Sequence, residues 1–389
     1  MKKGWQMRKL GDVCRFDKAQ GNHRGLPYVG LEHIESDTAR FIGSSEAQPV
    51  KSSTFRFSDE HVLYGRLRPY LNKALAPDFE GHCSTEIFPL KPSPELSREY
   101  LLFWLLSDET CDRINATCTG ARMPRAQMND VLDFKIPVPP LPEQQRIVGL
   151  LDEAFEGLAT AKANAEKNLQ NARALFESHL QSVFSQRGPG WVEKPLSELC
   201  ESSRVITYGV IKLGDETPNG VPCLRTSNVR WLRIETEGMK RITPALSSEY
   251  FRTILKGGEV LVNVRGTLGG VAVVGAEMAG WNVSREVAVV PVDRGRINPS
   301  FLSYFIGSGV SQQWLGGVKK GAAYIGINIE DLRLFPVAAP KLAEQSQVVA
   351  HLDVLWTETQ RLARLYEQKL AALAALKKSL LHRAFAGEL

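Results

Sequence analysis

The ten residues from Glu143, EQQRIVGLLD, return 201 positions later as EQSQVVAHLD from Glu344. Each copy follows a proline-bearing segment, IPVPPLP at 136–142 and PVAAP at 336–340, and opens a long stretch without proline. In the first stretch apolar residues fall at 147, 151, 154, 158, 161, 165, 169, 172, 176, 180 and 183. Steps of three and four average close to 3.5, the period of a helix that buries one stripe against another helix. The seam comprises Ile147, Leu151, Leu158, Ala161, Ala165, Leu169 and Phe176; adding 201 to the eleven positions gives Val348, Leu352, Leu355, Leu362, Tyr366, Leu370 and Leu373 among the apolar ones, with Thr359 and Lys377 as polar breaks. At 1.5 Å per residue each helix would be on the order of 65 Å long. Gly188 and Pro189 form the stop signal of the first.

Working outward, the whole chain proves to be written twice. Trp5, Leu10 and Cys14 recur with the same spacing as Trp191, Leu196 and Cys200. Pro27 matches Pro222, Ser84-Thr85-Glu86 matches Ser284-Arg285-Glu286, and Gly120-Ala121 matches Gly321-Ala322. The period is far too long for a solenoid and marks a duplicated domain. The 389 residues divide into a lobe at 1–142, a helical spacer at 143–188, a second lobe at 189–343 and a C-terminal helical spacer at 344–389. Neither helix can bury its stripe on its own lobe alone. The economical solution is an antiparallel coiled coil between them, related by the pseudo-two-fold repeat; two helices docking separately on partners is the alternative. The expected class is α+β, with two similar mixed α/β lobes joined by two long helices.

Within the lobes, short β-like runs (28–34, 61–64 and 86–90; 259–264, 270–274 and 287–292) alternate with Gly, Pro and Asn punctuation. Residues 98–107, REYLLFWLLS, are apolar nearly all round and read as a buried helix, matched by 298–308. The proline run at 136–142 reads as a stiff extended connector.

Composition excludes several classes. No apolar run is long enough to span a bilayer, and no signal peptide is evident at Met1-Lys2-Lys3. Six cysteines without a CxxC pair fit a reducing cytoplasm, and His82-Cys83 reads as packing, so no metal site is expected. The net charge of +5 is mild, and it fits a nucleic-acid partner and an ordinary solvated surface alike. There is no GxxxxGK[ST] loop, GxGxxG, GxSxG or HExxH. Glu367-Gln368-Lys369 has the E-x-K half of a nuclease site without its aspartate and reads as a solvated helix face. These absences point to a binding and scaffolding protein.

The order lobe, helix, lobe, helix, the junctions PVPPLPEQQRIVGLLDEAF and APKLAEQSQVVAHLDVL, and the ending LLHRAFAGEL resemble the specificity (S) subunit of Type I restriction-modification enzymes along the whole chain. The second junction departs from the first, with Lys341 and Ala343 where the first has Pro140 and Pro142. The resemblance implies that each lobe is a target recognition domain reading one half of a bipartite, asymmetric double-stranded DNA site. It implies that the helices set the gap and dock two methyltransferase subunits. S-adenosylmethionine, ATP and magnesium would sit on methyltransferase and restriction partners, with no cofactor or catalytic residue in this cytoplasmic, prokaryotic chain. A specificity chain without a restriction partner and a non-DNA adaptor with two protein-binding lobes remain open beside it.

Phosphate contacts position a DNA reader and base-edge contacts specify, with arginine the usual bidentate reader of guanine. The candidates are basic and amide residues on turns that both lobes share. Arg68, with Arg66 and Lys73, stands on GRLRPYLNK and is aligned with Arg265 of VNVRGTLGG. Arg122 and Arg125 stand on the glycine turn TGARMPR, with Lys319, Lys320 and Tyr324 on KKGAAYIG. Arg225, Thr226, Asn228 and Arg230 stand on LRTSNVR, whose first-lobe counterpart offers Glu32 and His33.

Overall fold

The computed structural model describes residues 4–23, 25–47, 50–120, 122–318 and 326–389. The helices used below are α1 (Arg98–Leu106), α2 (Asp108–Ala116), α3 (Leu141–Gln186), α4 (Pro299–Gly307), α5 (Gly309–Gly317) and α6 (Leu342–Ala386). The chain forms two compact units, Met1–Lys167 with Glu367–Leu389, and Asn168–Tyr366. Each unit therefore holds one lobe and a stretch of both long helices.

In the first unit an antiparallel sheet runs in the order Cys14–Phe16, Ile87–Pro92, Val62–Gly65, Ala74–Leu75. A second sheet runs Gln20–Gly21, Thr54–Phe57, Gly81–Cys83, Tyr28–Val29, its last pair parallel. Helix α1 is capped by the Ser97 hydroxyl, which accepts from the Tyr100 N–H, and every residue from Tyr100 to Leu106 is buried. The proline run expected as an extended connector over 136–142 is extended and paired only in its first part, and Leu141 and Pro142 already belong to α3. Lys135–Val138 lies antiparallel to Gln6–Lys9 with Pro137 opposite Met7. A two-stranded ribbon leaves an outer edge on each strand, where a missing N–H is tolerated.

The second unit repeats this plan. Its antiparallel sheet runs Thr207–Tyr208, Val287–Val290, Val260–Asn263, Val271–Val273, and Val192–Pro195 pairs with Pro336–Ala339. The parallel pair recurs as Val221–Leu224 beside Asn282–Val283. Asn298 caps α4 by accepting from the Ser300 and Phe301 N–H groups.

The recurring Glu-Gln of the two junctions has a physical reason. Gln144 is fully buried; its Oε1 accepts from the Ser97 N–H at 2.7 Å, and its Nε2 donates to the Glu95 and Pro139 carbonyls, each at 2.8 Å. Gln345 does the same, accepting from the Asn298 N–H at 2.8 Å and donating to the Pro340 carbonyl at 2.9 Å. One amide thus ties the start of each long helix to the cap of the buried helix in its lobe.

The long helices pack antiparallel within each unit. In the first, Ile147 and Leu151 share a core with Leu381 and Ala384, Arg146 donates to the Leu389 carbonyl, and Phe155 meets Lys377. In the second, Phe176 lies 4.8 Å from Trp356 and His179 5.2 Å from His351, ring centre to ring centre. Ile147, Leu151, Ala165, Phe176 and Leu352 are buried; Leu158, Ala161, Leu169, Val348, Leu355, Leu362, Tyr366, Leu370 and Leu373 are half-buried. Among the described residues no helix is long and apolar enough to cross a membrane.

Candidate nucleic-acid interface

In the first lobe the strand Val62–Gly65 ends at Arg66, whose N–H donates to the Glu86 carbonyl at 2.9 Å and whose carbonyl accepts from the Ala126 N–H at 2.9 Å. Beyond it the chain turns through Arg68, which has left-handed backbone angles (φ 52°, ψ 59°) and starts a short 3-10 turn, Pro69–Leu71. The Arg68 N–H donates to the Pro124 carbonyl at 2.8 Å, bringing the glycine turn and Arg122 alongside. Lys73 Nζ donates to the Leu31 carbonyl at 2.7 Å, which ties in the segment holding Glu32 and His33. The predicted first-lobe residues therefore converge on one loop cluster.

Their side chains do different things there. Arg125 forms a bidentate pair with Glu86, Nε to Oε2 at 3.0 Å and Nη2 to Oε1 at 2.9 Å, and this hydrogen-bonded carboxylate raises the guanidinium pKa. Arg66 lies over the Phe88 ring, 5.2 Å from its centre. Lys73 is spent on Leu31. The side chains of Arg68 and Arg122, both exposed, make no hydrogen bond or ion pair among the described residues. Beside them stand three apolar side chains that sequence reasoning passed over: Tyr70, Leu71 and Met123, exposed by 54%, 38% and 46%. An aromatic and a methionine at an arginine turn suit contact with the apolar parts of bases.

The second lobe builds the same cluster with a shifted register. Val264 makes the two backbone bonds that Arg66 makes, donating to the Glu286 carbonyl and accepting from the Ile327 N–H at 2.8 Å. Arg265 therefore corresponds to Leu67, and Gly266, also left-handed at φ 68°, corresponds to Arg68. The expected pairing of Arg68 with Arg265 is off by one residue; both remain on the same turn. The Arg265 guanidinium lies over the Tyr208 ring at 5.3 Å. Its backbone bridges to Gly326, as Leu67 bridges to Arg125, so the second lobe has a glycine where the first has its Glu86-bound arginine.

Buried Asn263 ties this turn to the LRTSNVR segment by donating to the Val229 and Thr267 carbonyls at 3.0 Å and the Thr226 carbonyl at 3.4 Å. Asn228 is 2% exposed; its Oδ1 accepts from the Arg225 N–H at 3.1 Å and its Nδ2 donates to the Glu235 carbonyl at 3.0 Å. It holds the loop and does not reach outward. His33 holds the matching first-lobe loop, its Nδ1 accepting from the Gly30 N–H at 3.1 Å. Arg225 donates to the Gly238 carbonyl, and Thr226 is half-exposed. Arg230 is paired with Glu235 at 3.0 Å, and that bond, with a second from Arg233, lowers the carboxyl pKa. Lys319, Lys320 and Tyr324 lie outside the described residues.

Comparison with known proteins adds to this geometry. A family model described as the Type I restriction modification DNA specificity domain matches residues 2–169 and again 189–368. The Type I restriction enzyme EcoBI specificity subunit of Escherichia coli is 24% identical over 298 residues, 71% of this chain and 63% of that protein. The EcoDI specificity subunit of Escherichia coli is 26% identical over 180 residues, 46% of this chain and 39% of that protein. The matched stretches thus span less than two thirds of the length of these relatives. A chain solved in a study of complex assembly and conformational transition of the type I R-M system aligns over 100% of this chain and 99% of its own, with TM-score 0.82 and 23% identity. The HsdS subunit from Thermoanaerobacter tengcongensis aligns over 100% and 98%, with TM-score 0.65 and 22% identity. At these identities the structural likeness speaks for the fold.

Proposed function

Because this chain belongs to the family of Type I restriction modification DNA specificity domains, we propose that it is the sequence-reading subunit of a Type I restriction-modification complex. The observation that carries this is the double match of the specificity domain, each copy on a lobe whose turn presents an arginine, Arg68 in one and Arg265 in the other. Each lobe reads one half of a bipartite asymmetric site in double-stranded DNA. Arg68 and Arg122 in the first lobe and Arg265 in the second make the base-edge or phosphate contacts; Arg125, Asn228 and Arg230 hold their loops in shape. The long helices set the gap between half-sites and dock two methyltransferase subunits. The chain itself is non-catalytic: S-adenosylmethionine serves the methyltransferases, and ATP and magnesium the restriction subunits.

The test is duplex binding by the full chain with its methyltransferase partner over graded salt. A DNA reader loses affinity as a power of salt concentration, in proportion to the phosphates it neutralises. Selection from random duplexes should then return two half-sites separated by a fixed gap. A flat salt profile and no selected sequence would favour the adaptor with two protein-binding lobes.

A further inference from the structure

The second polar break in the helical seam, Lys377, is not idle. It sits 201 positions after Phe176, at the same place in the other copy of the repeat, and the two residues do the same job with opposite chemistry. In the second unit Phe176 is 1% exposed and packs edge-to-face against Trp231 (5.8 Å) and Trp356 (4.8 Å). Trp231 precedes the left-handed Leu232 (φ 59°), whose N–H donates to the Val271 carbonyl at 2.7 Å. The Trp231 indole N–H donates to the Gly307 carbonyl at the end of α4. An edge-to-face aromatic cluster thus fastens the long helix to this loop.

In the first unit the matching loop residue is Asp37, left-handed at φ 61°, whose N–H donates to the Asn72 carbonyl at 3.0 Å. The residue before it is Ser36, where Leu232 is preceded by Trp231. Instead the Lys377 ammonium, half-buried and 5.2 Å from the centre of the Phe155 ring, donates a hydrogen bond to the Asp37 carbonyl. Asn72 carries the connection on. Its Nδ2 donates to the Leu106 carbonyl at the end of α1 at 2.9 Å, and its N–H donates to the Pro69 carbonyl at 2.8 Å, closing the 3-10 turn that Arg68 begins. Two hydrogen bonds therefore separate the ammonium on α6 from the turn that presents Arg68.

We propose that Lys377 is a positioning residue for first-lobe DNA reading: its bond to the Asp37 carbonyl holds the Asn72 end of the Arg68 turn, and it is the counterpart of the edge-to-face contact by which Phe176 holds the Trp231 loop in the second unit. The proposal rests on the lobes reading DNA. Burying a lysine head costs solvation, and exchanging a buried charge for an apolar side chain of similar volume is often neutral or stabilising. A side chain kept only for packing would be replaced by methionine without loss.

The experiment compares the full chain with Lys377→Met, which keeps the stem over Phe155 and removes the ammonium, and with Lys377→Arg, which restores a donor. Amide hydrogen exchange reads the joint without DNA, and random-duplex selection with the methyltransferase partner reads its effect. Lys377→Met should unfold no more easily than the wild type, yet lose protection at the Asp37, Leu71 and Asn72 amides. Its discrimination at the first half-site should fall by roughly 2- to 30-fold, the range that coupling through a packed network supplies. The second half-site should be unaffected, and Lys377→Arg should restore the first. Unchanged protection in Lys377→Met overturns the proposal, as does equal weakening at both half-sites. If the wild-type chain selects no sequence at all, the DNA reading falls, while loss of protection at the three amides still upholds the joint and retained protection still overturns it.

Discussion

Arg68 tests strain and recognition at once. It holds a left-handed conformation where the second lobe has Gly266, at φ 52° and 68°. For an L-residue that region costs about 1–2 kcal/mol, and strained backbone that persists tends to mark function. Arg68→Ala removes the guanidinium and keeps the strain. Arg68→Gly removes both, at the expense of about 0.5–1 kcal/mol of added unfolded-chain freedom. Arg68 is exposed, so little packing is lost in either case. Arg68→Gly should therefore be the more stable variant by about 0.5–1 kcal/mol, which at about 2–4 °C per kcal/mol is a rise of about 1–4 °C in the melting of the first unit. Both variants should lose about 1–3 kcal/mol of discrimination at one base pair of the first half-site. Thermal denaturation and competition binding against single-base variants of the site measure the two quantities. Arg68→Gly melting at or below Arg68→Ala would refute the strain account. Intact discrimination in both would refute the assignment of Arg68 as a reader, and uniform weakening on all sequences would reduce it to a phosphate contact.

Three other outcomes follow from the packing. Phe176→Ala removes a ring buried against Trp231, Tyr304 and Trp356 and should cost about 3–5 kcal/mol in denaturant unfolding of the second unit; a loss below about 1 kcal/mol would mean that the cluster contributes little. Gln144→Leu leaves the Ser97 N–H and the Glu95 and Pro139 carbonyls without their partner, at about 1–3 kcal/mol for each group that stays buried and unpaired, and Gln144→Glu should not restore the two donated bonds. His61 is buried, and burial holds its pKa below the ordinary 6.5 against the pull of Asp17. Below that pH the unfolded chain takes up a proton that the folded histidine resists, so stability should fall as pH drops through the window beneath 6.5. His61→Gln should flatten that slope, and an unaltered profile in the variant would place the acid sensitivity elsewhere.

The helical part of the architecture is legible in sequence because its signal is local: a stripe of period near 3.5 repeated at a fixed offset needs no knowledge of what it packs against. The buried helices are legible for the same reason, since REYLLFWLLS leaves no polar face. The parallel pairing of Tyr28–Val29 with Gly81–Cys83 is not, because nothing near either segment names a partner so far along the chain. At the interface the turns are found but the roles of the side chains are not. Arg125 and Arg68 look alike in sequence; Glu86, distant in the chain, takes one and leaves the other. Asn228 has the chemistry of a base reader and is spent instead on its own loop. The one-residue slip that sets Arg265 opposite Leu67 hides because the lobes differ in length between the anchors; only the backbone bonds of Arg66 and Val264 reveal it.

The buried glutamine at each junction bears on how such a chain can change over generations. Gln144 and Gln345 each ask the lobe upstream for one backbone N–H at a helix cap, and each binds a backbone carbonyl in the segment that leads into the long helix. Those are main-chain groups: every residue supplies the carbonyl, as Pro139 and Pro340 do here, and every residue but proline the N–H, so the joint places almost no demand on the side chains of the lobe it holds. A crossover just before Gln144 or Gln345 therefore exchanges the lobe while leaving what this joint needs in place, and the side-chain contacts of Phe155 with Phe103 and of Phe176 with Trp231 are the part of the seat that a new lobe must match.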